Sequence, residues 1–253
     1  MITQEKKIVF IIAHKYFRGY PSYLSHYIDN IINFYGDRSL ILVVDNNSNY
    51  PQEIFDTIPK INNLVFLTND IECKFELGAY QVGMRYIFEE ELQDECEYFV
   101  CTQDNFIIKN KVDFDNLLKL NIFACPINSY FPDGECKNIC DTVLNSLGRN
   151  DNLDKITFCW CSSFIVHRTK LQTIYDMIKQ IVIKVRWESC ASERYLARLL
   201  WELNDFKNND IDGDIRTLKD RHYDCWGVDP MAPSSSFFVK TVQQKTENTA
   251  DKW

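Results

Sequence analysis

The chain predicts an α/β fold, a mostly parallel central sheet flanked by helices. Three observations carry this. Apolar, β-branched runs alternate with helix-period segments from Lys7 to Asn105. The runs are continuous rather than alternating, the pattern of strands buried on both faces. Each run ends in a small polar cluster, and in such sheets ligands bind at the carboxyl ends of the strands.

Lys7 to Ala13 is the first buried strand, followed by the polar loop His14 to Gly19. Pro21 suits the first turn of a helix running to about Phe34. Ser39 to Asp45 is the second strand, stopped by the turn cluster Asp45 to Ser48. A short helix from Pro51 to about Ile58 and a strand from Leu64 to Leu67 follow. Phe75 to Leu92 has helical periodicity, and Tyr98 to Thr102 is the fourth strand. Strand and helix alternating in this way predict right-handed crossovers and a parallel sheet.

The second half is less regular. Ile122 to Pro126 reads as a short strand, Pro132 to Gly134 as a turn, and Cys136 to Leu147 as a helix. Ile156 to Val166 is a long strand or a strand pair, Leu171 to Ile183 a helix, and Ser192 to Leu203 an amphipathic helix. From Asn204 the chain is loop-like. With no repeat or linker, residues 1–240 read as one domain and 241–253 as a flexible tail.

Composition narrows the function. The chain has 253 residues, 45% hydrophobic, which is ample for a substantial core. Its net charge of −8 disfavours a general nucleic-acid role, because an acidic surface gains nothing from counterion release. No apolar run is long enough for a transmembrane helix, and the N-terminal residues lack a signal-peptide pattern. The expectation is a cytoplasmic protein whose ten cysteines are free thiols. Cys136–Cys140 and Cys159–Cys161 lack zinc-ribbon spacing. No G-x-G-x-x-G follows the first strand, and Gly78 and Gly83 are not followed by Lys-Ser/Thr. Asn208 to Gly213 imitates a calcium loop, but Lys219 stands where Glu would be needed. No G-x-S-x-G elbow is present.

The strand ends are the informative part. His14-Lys15, Asp45-Asn46-Asn47, Thr68-Asn69-Asp70 and Gln103-Asp104-Asn105 should line one edge of the sheet. Any one of these is an ordinary turn cluster. Together they point to a ligand site at that edge.

Four of these segments resemble GT-A glycosyltransferases, the nucleotide-diphospho-sugar transferase fold, in particular family 2 and its short viral and bacterial members. Val43 to Ser48 resembles the nucleotide-binding edge, Phe75 to Gly83 the helix start beneath the donor sugar, and Tyr98 to Ile108 the place of the D-x-D metal motif. Ser192 to Leu196 resembles the later acidic motif, whose carboxylate is the catalytic base at the start of a helix. The resemblance covers roughly residues 7–203. It implies a Rossmann-like GT-A fold and transfer of a sugar from a nucleotide-sugar to the hydroxyl of a carbohydrate or glycan acceptor, with inversion.

The same resemblance assigns roles. Asp45, with Asn47 and His14, would frame the nucleotide, and Glu76 would meet donor-sugar hydroxyls. Gln103, Asp104 and Asn105 would sit at the diphosphate, and Glu193 would be the base. Glu188 is the substitute for Glu193. The sequence departs from D-x-D, since Gln103 and Asn105 bring no charge. A divalent cation, Mn or Mg, would rest on Asp104 and a distant ligand such as His222. Alternatively, Arg221 or Lys219 would neutralise the phosphates. Trp160 and Trp187 are expected in the core. Two rivals stand beside this reading: a non-catalytic sugar- or nucleotide-binding relative, and a nucleotidyltransferase on a related sheet.

Overall fold

A computed structural model describes residues 7–16, 22–49, 51–56, 58, 60–119, 121–127, 129–130, 158–159, 162–203 and 238–240. Strands β1 (Lys7–His14), β2 (Ser39–Asp45), β3 (Leu64–Thr68) and β4 (Cys96–Gln103) run parallel in the order β3-β2-β1-β4. The sheet continues with β9 (Phe164–His167), antiparallel to β4, and β6 (Ala124–Pro126), antiparallel to β9. The result is the predicted α/β architecture, a six-stranded, mostly parallel sheet with helices on both faces.

The continuous apolar runs explain the three layers. Along β1, Ile8, Phe10 and Ile12 face one side and Val9, Ile11 and Ala13 the other. The first side packs on helix α1 (Leu24–Tyr35), whose Leu24, Tyr27, Ile28, Ile31 and Tyr35 form its buried stripe, and on α4 (Phe114–Lys119). The second packs on α3 (Phe75–Glu89), α5 (Arg168–Ile178) and α6 (Arg186–Leu203). Full burial of each such Ile, Leu or Phe contributes about 1.5–3 kcal/mol. A short helix α2 (Pro51–Phe55) joins β2 to β3. Outside the main sheet, β5 (Phe106–Ile108) pairs with β10 (Phe238–Lys240), and β7 (Ser129–Tyr130) with β8 (Phe158–Cys159).

Several element boundaries differ from expectation, each for a local reason. Helix α1 begins at Leu24, whose N–H donates to Ser22 Oγ, rather than at Pro21, which lies outside the described residues. Helix α3 stops at Glu89 instead of Leu92, and Glu91 turns the chain at φ 54°. The run from Ile156 to Val166 is a strand pair, because Ser162 at φ 51° separates β8 from β9. Helix α5 starts at Arg168, capped by the side chain of His167, and ends at Ile178. Beyond that end the buried amide of Gln81 donates to Ile178 O and Ile181 O.

The largest difference is α6. It starts at Arg186 rather than Ser192, because Glu188 reaches back to accept from Lys184 N at 2.7 Å and Val185 N at 3.1 Å. These are amides an open helix start would leave unpaired. The expected turn at 132–134, the helix at 136–147, the loop from 204 and the tail 241–253 lie outside the described residues.

Six cysteines among the described residues are free thiols. Burial raises the Cys101 thiol well above its usual range and pushes Cys125 up to about 12. Among the described residues, no helix is long and apolar enough to cross a membrane.

Candidate functional site

Strand order β3-β2-β1-β4 means that connections leave β1 in one direction and reach β4 in the other. The crevice between the carboxyl ends of β1 and β4 is therefore a topological switch point, where open α/β sheets bind ligands. The register brings the predicted polar ends level: His14 lies opposite Asp45, Asp45 opposite Thr68, and Ala13 opposite Gln103.

His14 and Asp104 meet across this crevice. His14 Nδ1 and Asp104 Oδ2 are 2.6 Å apart, and His14 is 1% exposed. Lys15 N donates to the same oxygen at 3.3 Å, and Asp104 N donates to Ala13 O at 3.1 Å. Asp104 is therefore held by two N–H groups through Oδ2, and Oδ1 has no partner among the described residues. With an ionised Asp104, the proton of the His14 ring sits on Nδ1. His14 Nε2 is buried without a hydrogen-bond partner among the described residues.

Asp45 builds the neighbouring wall. Ser48 N donates to Asp45 Oδ2 at 2.9 Å, and Ser48 Oγ bonds Oδ1. The hydroxyl oxygen of Ser48 also accepts from Tyr16 N at 2.7 Å, tying the loop after β1 to the loop after β2. This is an Asx-type turn, so Asp45 shapes its own loop whatever else it does. Asn47 is exposed at φ 59°, a left-handed conformation that Asn tolerates. Asn69 is buried, bonding Asn46 Oδ1 and Cys73 O, which locks the third strand end into the frame. Its neighbour Asp70 pairs with Arg85 at 2.6 Å instead.

The other side of the crevice is the start of α3. Gln103 Nε2 donates to Glu76 Oε1, and Ser189 Oγ of α6 donates to Glu76 Oε2 at 3.1 Å. The exposed Arg186 guanidinium lies 3.9 Å from Glu76. Glu76 thus joins β4, α3 and α6 rather than lying on a solvated helix face. Phe75, just before it, sits at φ 60°, a strained conformation for a bulky residue that costs about 1–2 kcal/mol. Asn105 is half-buried beside Asp104.

Glu193 is 8% exposed and lies about two turns into α6, a correction to its expected place at the helix start. Spacings of three and four residues put Arg186, Ser189 and Glu193 on one helix face, the face that meets Glu76. The acid in the first turn is Glu188, which caps the helix. Trp187, expected in the core, is 58% exposed. Trp160, Lys219, Arg221 and His222 lie outside the described residues.

The sequence reading missed Ser48, Ser189 and Arg186. Ser48 was legible as the third residue after a turn-forming Asp. Ser189 and Arg186 carry no local signal, since only tertiary packing brings α6 to Glu76.

The divalent cation that the resemblance implies finds little here. Among the described residues, no group of three or more His, Cys, Asp and Glu side chains converges. Asp104 is the lone carboxylate of its knot, and its Oδ2 already accepts two N–H groups. Magnesium demands near-octahedral oxygen coordination. The described donors do not fit it.

No family model matches the chain, and no curated protein matches it. Among solved structures, it is similar to the mannosyltransferase Ktr4p from S. cerevisiae in complex with GDP, at 11% sequence identity and a TM-score of 0.43. The similarity covers 78% of this chain and 66% of that one, just under two thirds of its length.

Proposed function

We propose that the chain is a GT-A-type glycosyltransferase, moving a sugar from a nucleotide-sugar to an acceptor hydroxyl with inversion. One observation carries the reading: His14, Asp45, Gln103, Asp104 and Glu76 converge at the switch point of the sheet, and α6 closes it from the side. A site bounded by strand ends and a helix start suits a nucleotide along the β1–β2 edge and a sugar above α3.

In this reading Asp45 and Asn47 meet the base and ribose. Asp104 accepts a hydrogen bond from the donor, and Glu76 orients a sugar hydroxyl while holding Gln103. Glu193 takes the proton of the acceptor hydroxyl as that oxygen attacks the anomeric carbon opposite the leaving nucleoside diphosphate. One C–O bond forms as the other breaks, so configuration inverts. Glu193 is 8% exposed and shares a helix face with Ser189 and Arg186, which meet Glu76. No step is routed through a metal.

The test is Glu193→Gln. We expect nucleoside diphosphates to raise the melting temperature of wild type and variant alike, while sugar transfer falls by about 10²–10⁴-fold in the variant. Equal transfer by both proteins would overturn the base assignment. A chain that no nucleotide stabilises would be a binding relative of another ligand class.

A further inference from the structure

Resting on this reading, we infer that His14 takes Asp104 out of metal chemistry. It fixes the carboxylate as a hydrogen-bond acceptor for a donor hydroxyl, and the nucleotide binds at this edge without a divalent cation.

The argument starts from what Asp104 already does. Both N–H groups that reach it fall on Oδ2, at 2.6 Å from His14 Nδ1 and 3.3 Å from Lys15 N. That leaves Oδ1 as the oxygen open to a ribose or sugar hydroxyl. A cation drawing on Oδ2 would have to displace His14. Nε2 of that ring is already buried without a partner among the described residues. Losing the Nδ1 bond would leave a fully buried imidazole with neither nitrogen partnered by a described residue, an arrangement folded proteins avoid.

The flanking positions add no charge. Gln103 is committed through its amide nitrogen to Glu76, and Asn105 is neutral. The second carboxylate of the neighbourhood, Glu76, is occupied on both oxygens by Gln103 and Ser189. Asp45 likewise accepts one hydrogen bond from Ser48 on each oxygen. Asp104, Glu76 and Asp45 thus each accept from protein donors, which sets them apart from an open cation cage. His14 is then a positioning residue: it acts on the donor through Asp104.

The test has two independent arms on the full chain. The first titrates Mn2+ alone and follows the free ion by electron paramagnetic resonance, comparing wild type with Asp104→Asn. We expect no bound Mn2+ that depends on Asp104. One Mn2+ per chain that disappears in Asp104→Asn overturns the inference.

The second arm measures GDP, UDP, ADP and CDP affinity with EDTA or with Mn2+. We expect agreement within about twofold between the two conditions, and a requirement for Mn2+ overturns the inference. In the same assay His14→Ala should weaken binding by about tenfold, the worth of one hydrogen bond to a charged group. His14→Asn, which keeps an N–H near the position of Nδ1, should restore most of it. Equal binding by the Ala variant and wild type overturns the positioning role. If the Ala variant does not fold, the Asn variant binding as wild type supports that role and its failing to bind overturns it. Absence of binding by every nucleotide would sink the glycosyltransferase reading, while the Mn2+ arm would still decide whether Asp104 holds a cation.

Discussion

Gly78→Ala is a substitution whose sign the structure decides. In an exposed helix, replacing Gly by Ala is stabilising by about 1 kcal/mol. At Gly78 a Cβ would stand 2.1 Å from Cys73 O and 2.7 Å from Asn69 Nδ2. Ordinary contacts need about 3.5 Å, so the 69–73 segment would have to retreat by about 1 Å or more. That segment is held by the 2.9 Å bond from Asn69 Nδ2 to Cys73 O and the 2.7 Å bond from Lys74 N to Ile183 O. Overpacking costs about 1–3 kcal/mol, and a weakened buried hydrogen bond about 1 kcal/mol more. Subtracting the helix gain leaves a net loss of about 1–3 kcal/mol. For a chain of this size that lowers the melting temperature by roughly 3–9 °C. Thermal melts followed by circular dichroism, with urea unfolding to check that m is unchanged, measure it. The same shift would move the start of α3 and so Glu76, which on the proposed reading should weaken nucleotide-sugar binding as well. A Gly78→Ala protein as stable as wild type, or more so, would refute the packing argument at this end of the site.

Other consequences are simpler to state. Glu188→Ala removes the acceptor for Lys184 N and Val185 N and should cost about 1 kcal/mol in urea unfolding, with Glu188→Gln losing less. An unchanged midpoint would mean the α6 start is capped by something else. Alkaline pH should also destabilise the fold. Unfolded thiols titrate near 9.0, while burial holds Cys125 up to about 12 and Cys101 well above its usual range. Above about pH 9 the native state therefore binds more protons than the unfolded state, and stability falls by about 1.4 kcal/mol per pH unit for each such group. Below that pH these groups are protonated in both states and contribute no slope. Urea unfolding at a series of alkaline pH values should show this loss, and Cys125→Ala should make it shallower. Native-state alkylation should likewise leave Cys101 and Cys125 unlabelled until urea is added, whereas early labelling of either would contradict their burial.

What local sequence determined here is the sheet and its polar edge. Continuous Ile, Val, Leu and Phe runs of strand length read as strands covered on both faces, so β1 and β2 were legible to within a residue, while β4 starts at Cys96, two residues before its apolar run, and ends at Gln103. The polar ends His14, Asp45 and Gln103–Asp104 follow from the same logic, because a parallel register sets strand ends side by side. Tertiary structure alone decided what those residues do to one another. No spacing rule pairs His14 with Asp104 or Gln103 with Glu76, which lie far apart in sequence and meet only when β4 settles against β1 and α3 packs beneath. Helix α6 shows the limit most plainly. Its apolar stripe was readable from Ser192 onward, but its true start at Arg186 depends on a carboxylate reaching back to two amides. Its approach to Glu76 depends on packing against the sheet. Periodicity records which face of an element is buried. It does not record which polar atoms burial brings into hydrogen-bond reach, and in this protein those contacts assemble the candidate site.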